Sequence, residues 1–313
     1  MPASRLAVSV PFDDLLPLWP DGGQPAGVEV HRWDLTGPPP GPLDVVVPGY
    51  DSHGRREALA AVPGLRWVQL LSAGYDGVPE DLPPGVGLLN GAGIHDAVTA
   101  ELALALTLAS LRDLPTAVRE ADHGRWTPLA SPGLAGRRVL ILGAGRIGTA
   151  ICARLAPFEP ASVTRVGTRA REDTLGRVHA AAELPQLLPH HDVVIVIVPL
   201  SEQTRGMVDA AFLAAMPDGA LVVNVARGPV VDTPALLAEL ESGRLRAALD
   251  VTDPEPLPAD HPLWRAPGLP LTPHVGGNTA DLVPRMRAFL AAQVERLAAG
   301  EPPHNVVVER AEG

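Results

Sequence analysis

The chain is 313 residues long with a formal charge of −11, which leaves room for two domains and no basic surplus for holding nucleic acid. Its hydrophobic share of 46% is that of a soluble globular protein; no stretch is apolar for long enough to span a bilayer, and the opening MPASRLAVSVPFDD is too short an apolar run for a secretory signal. With Cys152 as the one cysteine no intrachain disulfide can form, so a reducing, cytoplasmic setting is expected.

RLAVSV, GVEVHRW and LDVVVP near the start are strand candidates, followed by WVQLL (Trp67 to Leu71) and VGLLN (Val86 to Asn90). Proline-rich TGPPPGP, DLPPG and DPEPLPADHP read as loops, because apolar runs resume after each. Tyr50, after the third strand, is a candidate for lining a pocket. Ala97 to Leu111 is a helical pattern apolar nearly all round, which predicts burial at a domain junction or subunit interface, with Asp96 as N-cap. Trp126 and Trp264 are expected in packing or an interface. A second series then begins: strand RVLIL, helix Arg146 to Leu155, strand SVTRV, the all-apolar VVIVIVP of a covered parallel strand, helix Asp209 to Ala215, strand ALVVN, helix Thr233 to Ser242, strand AALDV and a last helix, Asp281 to Ala299. His190 and His191 fall in a loop and are expected to be solvated.

This alternation predicts an α/β fold of two doubly wound parallel sheets, Rossmann- or flavodoxin-like. The first domain takes 1–97 plus 283–313, and a dinucleotide-binding domain, 98–282, is inserted in it.

VLILGAGRIG sets Gly143, Gly145 and Gly148 after a strand and into a helix, the context in which this spacing binds a dinucleotide. Gly143 permits the tight turn, Gly145 lets backbone approach a pyrophosphate, and Gly148 allows close helix–strand packing. Arg146 and Ile147 lie on the first helical turn, whose free N–H groups favour an anion. A ligand-free packing loop and a loop for S-adenosylmethionine are the alternatives. Where NAD-binding chains carry an acid on the ribose, this one reads SVTRVGTRAREDT, with Thr168, Arg169 and Arg171 before the first acid, Glu172. A guanidinium can take a 2′-phosphate that a carboxylate would repel, so NADP is the preferred cofactor, and NAD remains possible if these arginines only face solvent.

Alone, His274 in LTPHVGG is as much a loop residue as a catalyst. With GAGRIG, HDVVIVIVPLSEQTRGMVD, NVARGPVVD and LDVTDPEPLPADHPLW in order, the chain resembles the D-isomer-specific 2-hydroxyacid dehydrogenases, of the glyoxylate/hydroxypyruvate reductase or short phosphoglycerate dehydrogenase type without a regulatory domain. LLSAGYDGV, NGAGIHDAVTAELALAL and HGRWTP extend the match more loosely to Trp67.

The resemblance implies hydride transfer between a nicotinamide and C2 of a small 2-keto or 2-hydroxy acid. It implies Arg227 on the substrate carboxylate and keto oxygen, Glu255 and His274 as an acid–base pair, and Asp250 beside the nicotinamide carboxamide. It also implies the amides of Ser72, Ala73 and Gly74 around the carboxylate. Pro199, Thr204, Val225, Ala226 and Gly276 join the cofactor set on the same ground, and a homodimer is implied. The chemistry agrees: an imidazole exchanges a proton near neutrality, a carboxylate against its second nitrogen orients the ring, and arginine keeps its charge throughout. No metal is expected, since no cluster has ligand spacing. The rival reading is a silent protein of the same fold that senses NAD(P)(H).

Overall fold

The computed structural model describes residues 5–50 and 56–310. They form two compact units, one of residues up to His95 and from Thr279 onward, the other Asp96–Asn278. These changeovers fall slightly before the 97/98 and 282/283 read from the sequence, whose outermost residues, 1–4 and 311–313, lie outside the described ones.

The first unit opens with β1 (Leu6–Val10), β2 (Val28–Arg32), β3 (Val45–Val46), α1 (Arg56–Ala60), β4 (Trp67–Gln69) and β5 (Gly87–Leu89). The second contains α2 (Asp96–Leu111), α3 (Leu114–Asp122), β6 (Arg138–Leu142), α4 (Arg146–Leu155), β7 (Ser162–Gly167), β8 (Arg171–Asp173), β9 (Gly176–Ala180), α5 (Leu184–Leu187), β10 (Val193–Val196), α6 (Ala210–Ala215), β11 (Leu221–Asn224), α7 (Thr233–Glu241) and β12 (Arg246–Leu249). The chain then returns to the first unit as α8 (Leu282–Ala298) and β13 (Val306–Val308).

The first sheet runs β13-β5-β4-β3-β1-β2, the second β12-β11-β10-β6-β7-β9-β8. Both are parallel except at one edge, where β13 runs antiparallel to β5 and β8 to β9. The expected doubly wound α/β class is therefore present twice, with two antiparallel edges the sequence does not announce. Residue alternation explains the layering of the second unit. Leu140, Leu142, Val194, Val196 and Val222 share one core with Phe212 and Leu213 of α6 and Leu236 of α7. Val139, Ile141, Val193, Ile195 and Val223 share the other with Ala100 and Ala103 of α2 and Ile151 and Leu155 of α4. Each valine, leucine, isoleucine or phenylalanine side chain among them, taken fully out of water, contributes about 1.5–3 kcal/mol. Asp209 and Asp232 cap α6 and α7, accepting from the Phe212 and Ala235 N–H groups, which starts each helix immediately past a strand-end loop.

His191 corrects the sequence reading. It is buried, with Nδ1 2.7 Å from the Leu187 carbonyl and Nε2 2.8 Å from the Thr164 hydroxyl. Burial pushes its imidazole below the ordinary 6.5. In that window the folded protein holds fewer protons than the unfolded chain, so stability rises with pH and is lost on acidification. Urea midpoints are expected to fall between about pH 7.5 and about pH 5.5, with a flatter slope in His191→Asn; equal slopes would remove His191 from the account.

Candidate active site

One row of the second unit's sheet pairs Val166, Leu142, Val196, Asn224, Leu249 and Leu271. Just past this row each segment leaves the sheet at its carboxyl end, where ligands bind in open parallel sheets. Gly143, Thr168, Pro199, Arg227, Asp250 and His274 all follow within three residues. Sheet register alone therefore gathers candidates scattered over more than a hundred positions of the chain.

In the glycine loop, Gly143 has φ +124° and a Cβ there would run into the Ile197 carbonyl, while one on Gly148 would strike the Gly143 carbonyl. Packing within the unit therefore demands both glycines. A Cβ on Gly145 would meet nothing within 4 Å, and its φ of −89° suits any residue. The open space at Gly145, beside the first turn of α4, fits a pyrophosphate resting on the N–H groups of that turn. The Arg146 guanidinium is turned aside, its Nε donating to Asp96 Oδ2 at 2.7 Å; Ile147 packs against the α2–α4 core.

At the end of β7, Thr168 and Arg169 are exposed. Arg171 Nη2 donates to the Ala144 carbonyl, 2.8 Å away, so this guanidinium stands against the glycine loop itself. Asp173 is occupied by Arg165 at 2.7 and 2.8 Å. Beyond β10, the Thr204 hydroxyl donates to the Pro199 carbonyl at 2.6 Å and accepts from the Ser201 N–H at 2.8 Å, which ties that loop to itself.

Beyond β11 the Asn224 side chain accepts from the Ala226 N–H at 3.0 Å and donates to the Arg227 carbonyl at 3.1 Å, making a tight turn with Val225 and Ala226 buried inside. Arg227 Nη1 donates to the Ala226 carbonyl at 2.7 Å. A Cβ on Gly228 would overlap the Thr252 carbonyl, so only glycine lets this turn lie against the segment that leads to Glu255.

Asp250, 2% exposed, accepts from Thr272 Oγ1 (2.6 Å), Val275 N–H (2.9 Å) and Gly276 N–H (2.9 Å), and its own carbonyl accepts from the His274 N–H at 2.7 Å. These bonds clamp the loop that presents His274, whose φ of +52° is uncommon for a residue with a side chain. Thr99 Oγ1 donates to the Gly276 carbonyl from α2 at 3.2 Å. On this scaffold His274 Nδ1 lies 2.5 Å from Glu255 Oε1. With Nδ1–H given to the carboxylate, Nε2 has no protein partner among the described residues and is the atom able to exchange a proton with a ligand.

Ser72, Ala73 and Gly74 belong to the first unit. Their carbonyls accept from the Gly91 N–H (2.7 Å), Asn90 Nδ2 (2.9 Å) and Ser72 Oγ (2.6 Å) respectively. Among the described residues their N–H groups carry no protein partner, which suits them to an anion. Tyr50 lies in the same unit, its hydroxyl 3.4 Å from His95 Nε2, and burial raises its pKa to about 12.

The sequence reading missed Asn90, Asn224 and Gly228, which shape the turns, and Thr99 and Thr272, which brace the histidine loop. Asn90 and Asn224 each end an apolar strand, a turn signal that was available. The threonines carry no local signal, because their partners lie far off in the chain.

A family described as D-isomer specific 2-hydroxyacid dehydrogenase, NAD binding domain, matches residues 104–276. The chain is 33% identical over 297 residues to the human glyoxylate reductase/hydroxypyruvate reductase, covering 88% of this chain and 90% of that one. Its fold resembles a D-isomer specific 2-hydroxyacid dehydrogenase from Xanthobacter autotrophicus Py2 in complex with NADPH and MES, at TM-score 0.82 and 32% identity, covering 97% of this chain and 98% of that one. It also resembles an NADPH-dependent glyoxylate/hydroxypyruvate reductase from Sinorhizobium meliloti in complex with NADP and malonate, at TM-score 0.80 and 27% identity, covering 99% and 100%.

Proposed function

Because the chain belongs to the D-isomer-specific 2-hydroxyacid dehydrogenase family, we propose that it reduces small 2-keto acids of the glyoxylate and hydroxypyruvate kind to D-2-hydroxy acids with NADPH as the preferred reductant. The observation that carries this reading is His274, held by Glu255 on a loop clamped by Asp250, with Nε2 left open.

When bound, the reduced nicotinamide supplies the hydride that goes to C2. Gly145 and the first turn of α4 hold the pyrophosphate, and Arg169 and Arg171 take the 2′-phosphate. Arg227 grips the substrate carboxylate and polarises the C2 carbonyl, and it keeps its charge as negative charge builds on the oxygen. His274 gives its Nε2 proton to that oxygen, while Glu255 keeps the ring aligned and balances the charge of the protonated form. Asp250 acts as the clamp of the histidine loop, with capacity left for one more donor such as a carboxamide. On the family resemblance, the amides of Ser72, Ala73 and Gly74 are assigned to the substrate carboxylate.

The test is a panel of 2-keto acids assayed by loss of nicotinamide absorbance with NADPH and with NADH. NADPH oxidation matched by formation of the D-2-hydroxy acid is expected. NADPH binding without turnover of any acid in the panel would leave a cofactor-sensing protein instead.

A homodimer through α3 and the segment after it is part of the same proposal. No residue of α3 is buried; Leu114 and Val118 are 49% and 61% exposed, and Trp126 is 97% exposed. Glu120 accepts from Arg125 at 2.8 and 2.5 Å and from the Thr127 hydroxyl at 2.8 Å, fixing both neighbours of that tryptophan. A fully exposed indole between two fixed neighbours suits an interface anchor. Analytical ultracentrifugation is expected to give a dimer for the wild type, with association weakened by about 2 kcal/mol or more in Trp126→Ala; a wild-type monomer would end the proposal.

A further inference from the structure

We infer that the Arg165–Asp173 ion pair is a positioning device for cofactor choice: it seats the β8–β9 hairpin so that Arg171 stands against the glycine loop, and it occupies an acid of the ribose-binding segment. The inference rests on the NADPH reading above.

Arg165 is an unusual residue for an interior strand position. Its side chain is 3% exposed on β7, yet it is charged. Nη1 and Nη2 reach Asp173 Oδ2 and Oδ1 at 2.8 and 2.7 Å, and Nη2 also donates to the Gly176 carbonyl at 2.8 Å. Both strands of the hairpin are thus tied to one guanidinium. Register links this knot to the cofactor loop: Arg165 pairs with Val178 of β9, and Val178 pairs with Arg171 of β8. From that same row Arg171 Nη2 reaches the Ala144 carbonyl at 2.8 Å. Gly167 keeps the space clear, since a Cβ there would come within 2.9 Å of Arg171 Nη1.

An apolar contact would hold a hairpin as well as a buried ion pair does, because burying charge costs desolvation. What the forked pair adds is direction: planar, two-point geometry that fixes how the strand leaves the sheet. The Arg165 guanidinium also holds the Asp173 carboxyl at about 2, ionised and engaged. Asp173 is therefore turned to Arg165 rather than offered to a ribose hydroxyl, which would favour the cofactor lacking a 2′-phosphate.

The test is titration calorimetry of the full chain with 2′,5′-ADP and with 5′-AMP. The wild type is expected to prefer 2′,5′-ADP, and Asp173→Asn and Arg165→Met to lower that preference about tenfold. Asp173→Asn is the decisive variant. It removes a negative charge near Arg171, so simple electrostatics predicts tighter binding of the 2′-phosphate, whereas loss of positioning predicts weaker binding. It also keeps the buried arginine and so carries the test if Arg165→Met does not fold. In an Arg171→Ala background, Asp173→Asn is expected to leave the remaining preference unmoved. A wild type that binds both nucleotides alike overturns the cofactor assignment together with this inference. A wild type that discriminates, with an Asp173→Asn protein that discriminates as well or better, overturns the inference alone.

Discussion

Replacing His274 by asparagine is expected to lower kcat for 2-keto acid reduction by about 10² to 10⁴-fold while NADPH binding survives. Asparagine is the informative choice because residue 274 has φ +52°, a left-handed conformation that asparagine tolerates better than most side chains do. The backbone bond from the residue 274 N–H to the Asp250 carbonyl, 2.7 Å in the native protein, does not depend on the imidazole. The loop is thus kept and the proposed proton donor removed. Glu255→Gln is expected to act in the same direction, since an amide cannot balance a protonated ring across the native 2.5 Å contact. Stopped-flow turnover and fluorescence titration of NADPH on the same preparations separate chemistry from binding; parallel loss of both would mean that the loop had collapsed.

Arg227→Lys is expected to lower kcat/KM by on the order of 10² to 10³-fold. Lysine keeps the charge but supplies a point where the proposed role needs a fork that spans carboxylate and carbonyl together. The native guanidinium is already aimed by the turn beneath it, through the Asn224 bonds and its own contact with the Ala226 carbonyl. In the proposed role both KM and kcat should suffer, because the carboxylate contact would precede the transition state and the carbonyl contact would strengthen in it. Steady-state kinetics with glyoxylate decides this. A variant impaired only in KM would confine Arg227 to substrate binding.

The strands and helices that carry the site were legible because their signals are local. VVIV reads as a buried parallel strand, the positive φ of Gly143 and the close approach of Gly148 to the Gly143 carbonyl belong to one turn, and Arg227, Asp250 and His274 each follow an apolar run. What escaped notice depends on partners far away in the chain. The β8–β9 hairpin has charged, exposed residues and no apolar alternation; a buried arginine on β7 ties it down, which no propensity for REDTLGRVHA reports. β13 is three valines whose pairing comes from β5, more than two hundred residues earlier. His191 looked solvated beside His190 because pattern cannot tell which of two adjacent histidines turns inward toward Thr164. Asp250 suggested a cofactor contact, yet three of its accepting positions are spent on the histidine loop, a role visible only once Thr272, Val275 and Gly276 are folded beside it. α3 had a proline in its first turn as a start signal, but its outward apolar face is the opposite of the inward stripe by which helices are usually recognised.

A crystal structure of the protein with NADP and oxamate, an unreactive 2-keto acid analogue, tests the central claim most directly. The oxamate carbonyl oxygen is expected within hydrogen-bond distance of His274 Nε2, with the Arg227 guanidinium on the same ligand and Glu255 still on Nδ1. Oxamate bound with its carbonyl away from Nε2, and only solvent against that nitrogen, would contradict the assignment of His274 as proton donor.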